Sequence, residues 1–414
     1  MNVNGTSSSR GLTCCRACEA SNLEQLIDLG FSPVANSLPE ANTRVLEPSY
    51  PLVLNFCRVC LLGQIAEFET PEQIFSVYPY LSSTSTSWVK HAEDFARACV
   101  SDFPEITQSY VLEIASNDGY LLQHFKDLGI KVLGVEPASN VAAVSRSKEI
   151  PTIEAFFGKT EAQRILDRYG HPTLIVANNV AAHVPDMIDF FSGISILCGP
   201  QTLVSIENPS LGYLLSNGFY DTIYHEHFSY LSIFPIRSLA NKLGMNLFKA
   251  EILPTHGGSI RYWLTKNQAR QVEGSVKQIE LDEYERGLGN LNAETAFASK
   301  VRREMNELSK WLRSQTPGSV VGYGAAAKTV TTFFAAKLPE DRFKNIVDAN
   351  PLKQNRRLPG TSIPIVSLDS LTSTSADKVL IFAWNLEAEI VKAVRRYNPN
   401  IEIWVPNPIR KAKE

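Results

Sequence analysis

The chain holds only seven histidines, and three of them sit in two distinctive contexts: Asn178-Asn-Val-Ala-Ala-His183 and Tyr224-His225-Glu226-His227. An imidazole changes charge near neutral pH, a neighbouring carboxylate orients it, and a phenol donates or relays a proton. Tyr224, Glu226 and His227 therefore read as an acid–base cluster. As metal ligands, His225 and His227 would lack a third partner at ligand spacing. Metal chemistry is expected at the front of the chain instead. Cys15-Arg-Ala-Cys18 and Cys57-Arg-Val-Cys60 are two C-x-x-C units, and each lets two thiolates of one turn take two corners of a tetrahedron around zinc. Four thiolates leave no open position, so this zinc would be structural. Cys14 is a neighbouring alternative ligand whose spacing to Cys18 is one residue longer than the commonest turn.

A second kind of chemistry is written in Glu113-Ile-Ala-Ser-Asn-Asp-Gly119. A dinucleotide pyrophosphate calls for G-x-G-x-x-G, whereas this loop has a single glycine and two acids, Glu113 and Asp118, that repel a diphosphate. S-adenosylmethionine carries an amino group and a sulfonium and no phosphate, so it suits an acidic loop. Glu136, at the end of the next apolar run, is placed to accept both ribose hydroxyls. Gly158-Lys159-Thr160 imitates the end of a phosphate-binding P-loop, but Ile153 stands where that loop needs glycine. Phe156-Phe157-Gly158 reads better as a loop near the adenine. Further on, Gly324-Ala-Ala-Ala-Lys328 opens a helix whose amides, with Lys328, suit a diphosphate. An NAD site there is the rival reading, which would make the protein a nucleotide-sugar oxidoreductase.

These groups need two nucleotide-type sheets to position them. Tyr110–Ala115, Lys131–Glu136, Thr173–Ala177 and Thr202–Ile206 are short apolar runs separated by helix-length segments, the pattern of an alternating α/β domain with a mostly parallel sheet. Ligands bind beyond the carboxyl ends of such strands, where the Glu113–Gly119 loop lies. Ser319–Tyr323, Asn345–Asp348 and Lys378–Ala383 supply a second, Rossmann-like unit. Between the two, Asn267–Arg313 reads as a long helical connector with a solvated charged face.

Several motifs in order resemble the sugar C-methyltransferases, S-adenosylmethionine-dependent enzymes that methylate a ring carbon of nucleotide-linked 4-keto deoxysugars. They are the two cysteine knuckles, Tyr78-Pro-Tyr-Leu-Ser-Ser83, Leu112–Leu122, Gly134-Val-Glu-Pro-Ala138, Ala182-His183, Phe219–Tyr230, His256-Gly-Gly-Ser-Ile-Arg261, Gly322–Lys328 and Asp348–Lys353. The resemblance implies a zinc-binding domain over 1–70, a class I methyltransferase domain over 71–270, and the helical connector with a Rossmann-like nucleotide-sugar domain over 271–414. It implies His227 as the base, supported by Glu226 and Tyr224, with Tyr78 and His183 near the sugar. Glu113, Ala115, Asn117, Asp118, Gly119, Glu136, Pro137 and Asn178 would hold the cofactor. Tyr80, Ser83, His225, His256, Arg261, Tyr323 and Lys328 would meet a dTDP- or GDP-linked ketosugar. Methylation is expected at C-3 in preference to C-5. A non-catalytic module that binds S-adenosylmethionine is the remaining alternative.

Composition fits this reading. Over 414 residues, 44% are hydrophobic and 20% charged, which excludes a disordered or coiled-coil chain and calls for two or three domains. With 40 Lys+Arg against 43 Asp+Glu the net charge is -3, so no global basic field draws the protein to nucleic acid or anionic lipid. Met1–Thr13 is polar and lacks the apolar core of a secretory signal, and no apolar run is long enough to span a bilayer. A cytoplasmic monomer or weak oligomer is expected.

Overall fold

A computed structural model describes residues 12–43, 47–76, 78 and 81–413. Three sheets organise them. The central one has seven strands in the order Asn246–Leu253, Ser259–Thr265, Leu203–Pro209, Leu174–Asn178, Tyr110–Ile114, Lys131–Val135 and Thr152–Ile153. Pairing is parallel from Leu203–Pro209 onward, whereas Ser259–Thr265 is antiparallel to both its neighbours. Val111, Leu112, Leu174, Ile175 and Val204 are all fully buried, because helices cover both faces of the parallel strands.

The second sheet has six strands, ordered Ile365–Val366, Phe343–Val347, Val320–Tyr323, Lys378–Ile381, Glu402–Pro406 and Ile409–Lys411, with only the last antiparallel. This is the Rossmann-like unit expected from the sequence. The third sheet belongs to the front of the chain: Leu23–Pro33 and Ser49–Cys57 pair antiparallel, then Gly63–Gln64, and finally Ser229–Tyr230, a strand that lies far later in the chain.

The expected long connector is two helices, Gly274–Glu285 and Leu291–Arg313. Gly287 breaks it: its φ of +95° is unfavourable to a side chain, and a Cβ there would lie 2.3 Å from that of Ala293. Asn290 then caps the second helix through the amides of Asn292 and Ala293. Its apolar stripe of Phe297, Val301, Leu308 and Leu312 is buried, and so are Glu294 and Glu304, so the charged face is only partly solvated. Among the described residues no helix is long and apolar enough to cross a membrane.

Candidate active site

The loop after Tyr110–Ile114 makes its turn with left-handed residues, Ala115 (φ 53°), Asn117 (φ 50°) and Gly119 (φ 76°). A Cβ on Gly119 would fall 2.4 Å from Ile150 Cδ1, so the loop admits only glycine without rearrangement. Glu136, at the next strand end, braces the loop: its Oε2 accepts the Asn117 N–H at 2.8 Å and its Oε1 accepts that of Ala138 at 2.9 Å. Asn117 Oδ1 accepts the Ser82 N–H at 2.8 Å, which places the short turn Ser82–Thr84, with exposed Ser83, beside the loop. Glu113 Oε2, Asp118 Oδ1 and Asn178 Oδ1 are buried with no hydrogen-bond partner among the described residues. Lys148 pairs with Asp118 at 3.0 Å. Burial, followed by the charges of Glu136 and Asp118, pushes the Glu113 carboxyl far above its ordinary range. Three carboxyl groups and orphaned acceptors at the carboxyl ends of parallel strands fit a hydrogen-bond-donating, cationic ligand, whose charge would favour the ionised form of Glu113. Pro137 is half-buried at the same edge. Phe157 packs on Phe190, while Phe156 stays exposed and Gly158 begins the helix Lys159–Tyr169.

Tyr224–His227 lies in a turn after the short helix Tyr220–Thr222. His227 Nδ1 meets the Thr222 carbonyl at 3.2 Å, which can only accept, so Nδ1 carries the proton and Nε2 holds a lone pair. The Tyr224 hydroxyl donates to that Nε2 at 2.6 Å. His183, in the turn Ala181–His183, stands edge-on to His227 at 4.6 Å and donates through Nδ1 to the Glu226 carbonyl at 2.7 Å. Burial, then the neighbouring His183, keeps the His227 imidazole neutral well below its usual titration range, with His256 and Lys328 near enough to add to the effect. Burial likewise takes His183 down to about 4. The Tyr224 phenol is held protonated by burial and by the nearby Tyr78 and Glu226.

Two expected contributors to this turn face elsewhere. The Glu226 carboxylate does not orient His227; its Oε1 accepts the main-chain N–H of Asn36 at 2.7 Å and the Asn36 side chain at 3.1 Å. The orienting groups are Tyr224 and the Thr222 carbonyl. His225 is packed away from the cluster, edge-on to Tyr50 and Phe68, with Nε2 at 3.3 Å from the Pro51 carbonyl. Tyr78 is tied through its backbone to Asn140, beside Phe75. Tyr80 lies outside the described residues.

Arg261 is also committed within the protein rather than offered to a ligand. It pairs with the fully buried Glu207 at 2.5 Å and lies over the Phe95 ring. Glu207 accepts further bonds from His91 at 2.9 Å and Thr255 at 3.0 Å. This network steadies the left-handed His256 (φ 53°), whose Nε2 accepts the Asn179 amide at 3.3 Å and whose ring lies 5.2 Å from Trp88. Sequence reading passed over Glu207, yet an acid ending the apolar run Leu203-Val-Ser-Ile206 is the same signal that marked Glu136.

The second sheet repeats the bracing seen at Glu136. Asp348 Oδ2 accepts the Ala325 N–H at 2.8 Å and Oδ1 accepts that of Asn350 at 2.8 Å. Lys328 is half-buried, donates to Asn385 at 3.0 Å and sits 4.2 Å from the Trp384 ring. Trp384 stacks on Phe219 at 4.2 Å and donates to buried Asp221 at 2.5 Å, joining the sheet to the segment that leads into the His227 turn. Tyr323 is buried in the sheet's core rather than displayed.

At the front, the sulfurs of Cys15, Cys18, Cys57 and Cys60 all lie within 4.8 Å of one another, with Cys15–Cys60 at 3.4 Å and Cys18–Cys57 at 3.6 Å. A tetrahedral Zn–S₄ centre with arms of about 2.3 Å has edges of roughly 3.8 Å, so the four thiols fit zinc closely. Cys14 is exposed and outside the group. The two knuckles share one construction. Each ends in a left-handed residue, Glu19 (φ 63°) and Leu61 (φ 62°), whose amide donates to the first cysteine's carbonyl at 2.9 Å. Each also carries an arginine that reaches outward: Arg16 donates to the Ile65 and Pro185 carbonyls, and Arg58 pairs with Glu24 and Glu294.

Comparison with known proteins finds three family matches along the chain. Residues 15–75 match a family described as a zinc binding domain, 88–250 a methyltransferase domain, and 254–406 a C-methyltransferase C-terminal domain. C-methyltransferase NovU of Streptomyces niveus is 30% identical over 391 residues, covering 93% of both chains. Among solved structures, magnesium protoporphyrin IX methyltransferase from Synechocystis PCC 6803 with bound SAM is 13% identical over 43% of this chain and 79% of its own, with a TM-score of 0.33. The CcbJ methyltransferase of Streptomyces caelestis is 13% identical over 42% and 89%, with a TM-score of 0.34. With this relative matched over 93% of both chains, the chain belongs to the S-adenosylmethionine-dependent C-methyltransferases, with a four-cysteine zinc site at its front.

Proposed function

We propose that the enzyme methylates a ring carbon, C-3 in preference to C-5, of a 4-keto-6-deoxysugar linked to dTDP or GDP. The observation that carries this reading is a half-buried, neutral His227 whose Nε2 lone pair is covered by a phenol, with Lys328 near enough to act on its charge. Carbon is a poor nucleophile unless a neighbouring carbonyl lets it lose a proton to form an enolate, and a 4-ketosugar supplies that carbonyl. When bound, the cofactor supplies an electrophilic methyl group on sulfur.

The chain's own residues do the rest. Thr222 fixes the His227 tautomer so that Nε2 is the basic atom. Binding of the sugar displaces the Tyr224 hydroxyl from Nε2, which frees the lone pair to take the proton from carbon. The released phenol then donates to the enolate oxygen, with Tyr78 as the second donor. His183 is not a donor in its neutral form, because Nδ1–H is already committed to the Glu226 carbonyl and Nε2 can only accept. Lys328 offers a cation to the diphosphate, and the acids of the Glu113–Asp118 loop keep that diphosphate off the methyl-donor side.

His227→Asn is expected to keep cofactor affinity while losing both methyl transfer and deuterium exchange at the sugar carbon. Near-normal turnover with a panel of 4-ketosugar nucleotides, read by mass, would remove His227 from the base role.

A further inference from the structure

Asn36 belongs to none of the motifs that the sequence singles out, yet it is the point at which the front of the chain grips the active-site turn. Both its main-chain N–H and its side-chain amide donate to Glu226 Oε1. Glu226 is 0% exposed, and its Oε2 has no hydrogen-bond partner among the described residues, so the two bonds from Asn36, with the Ala35 and Glu226 main-chain amides close by, are what hold this carboxyl. The main chain of the same residue holds His183: the Glu226 carbonyl accepts His183 Nδ1 at 2.7 Å, and His183 stands edge-on to His227. Asn36 itself has little freedom. Its neighbours Ala35 and Leu38 are buried in one cluster with Phe333, on the helix Ala327–Ala335, and with Leu358.

Asn36 is delivered by the strand Leu23–Pro33. Leu23 pairs with Cys57 at the zinc end and Pro33 with Ser49 at the other. At about 3.3 Å per residue that strand spans roughly 30 Å. Asn36 thus follows the end of the ribbon away from the cysteines.

We infer that Asn36 is a positioning residue of the active site: by fixing Glu226 it fixes the carbonyl that holds His183 as the Nδ1–H tautomer beside His227. A carboxylate this deeply buried needs donors to keep its place. Only a group rigid at both backbone and side chain supplies two from one residue.

Two variants test this, and the catalytic arm rests on the proposed function whereas the spectroscopic arm does not. Asn36→Leu removes the side-chain donor and keeps the main-chain one. Asn36→Asp sets a second carboxyl against Glu226, so that the pair must share a proton. Calorimetry with S-adenosylmethionine is expected to give parental affinity for both. Methyl transfer by Asn36→Leu should fall about ten- to a hundredfold in kcat. Asn36→Asp should recover activity as pH is lowered from 8 to 6, a change that the parent does not show. Nitrogen NMR of protein labelled only at its seven histidines should report one fixed Nδ1–H ring lost to tautomer averaging in Asn36→Leu. Parental pH profiles together with an unchanged histidine spectrum would overturn the inference, and Asn36→Leu alone decides it should Asn36→Asp not fold. A changed His183 signal in a protein inactive on every ketosugar would sustain the role of Asn36 and overturn the substrate reading.

Discussion

Replacing Glu207 by Gln keeps the shape of the side chain and removes a charge that Arg261, His91 and Thr255 all use. Burial alone would raise this carboxyl, but the His91 bond and the Arg261 charge win and hold it at about 2 against an ordinary 4.5. Because its folded value is depressed, the carboxylate stabilises the fold by about 3 kcal/mol above pH 4.5, and that stability is lost as pH falls toward 2. In Glu207→Gln the Arg261 guanidinium, only 8% exposed, is left without its counter-ion. The expected cost is about 3–5 kcal/mol. For a unit of this size, about 2–4 °C per kcal/mol translates this into a melting point lower by roughly 10 °C. Thermal scans at pH 7 read the loss, and acid titration of stability between pH 5 and 2.5 should be flatter in the variant. The double variant Glu207→Gln/Arg261→Met should recover at least half of the loss, since no unpaired charge then remains buried. A single variant melting within about 2 °C of the parent, or strictly additive losses in the double variant, would refute the view that Arg261 is held for the fold rather than for the substrate.

Gly119→Ala adds a methyl in a left-handed turn against Ile150, so cofactor affinity measured by calorimetry should fall at least tenfold with the other sheets intact; unchanged affinity would place the cofactor elsewhere. Glu283, fully buried and raised by burial to about 8, accepts from Ile233 N–H and bonds Ser210. Its folded value is above the unfolded one, so stability declines as pH climbs from about 4.5 to 8 and is level beyond. Glu283→Gln reproduces the neutral acid's bonds, and urea titrations should show that decline abolished and the variant the more stable of the two at pH 9.

The parts legible in the sequence were those that chemistry confines to a few neighbouring residues. Two C-x-x-C turns need nothing but local spacing to offer four thiolates, and the acid-rich loop after Tyr110–Ile114 departs from a dinucleotide loop by the glycines it lacks. Both parallel sheets could be read because strands covered on two faces are uninterrupted apolar runs. What escaped depends on tertiary partners. Nothing adjacent to Glu226 tells that its carboxyl turns toward Asn36, 190 positions earlier, or that Arg261 answers Glu207 across two strands. His225 illustrates the same limit: alternation along a strand would put it on one face with His227, but the segment is a turn, where that rule does not hold. Gly287 and Gly289 could have broken the connector in advance, since paired glycines in a helical pattern mark a stop.

The small strand Ser229–Tyr230 has a practical bearing on how this enzyme can be cut and recombined. It follows the Tyr224–His227 turn directly, yet its hydrogen bonds go to Gly63–Gln64 of the zinc-bearing sheet. A fragment that starts after the front domain therefore exposes a severed sheet edge next to His227, and a chimaera that imports a foreign front must match that edge before it can hold the turn in place. The module that looks most detachable on paper is stitched into the turn proposed to carry the base.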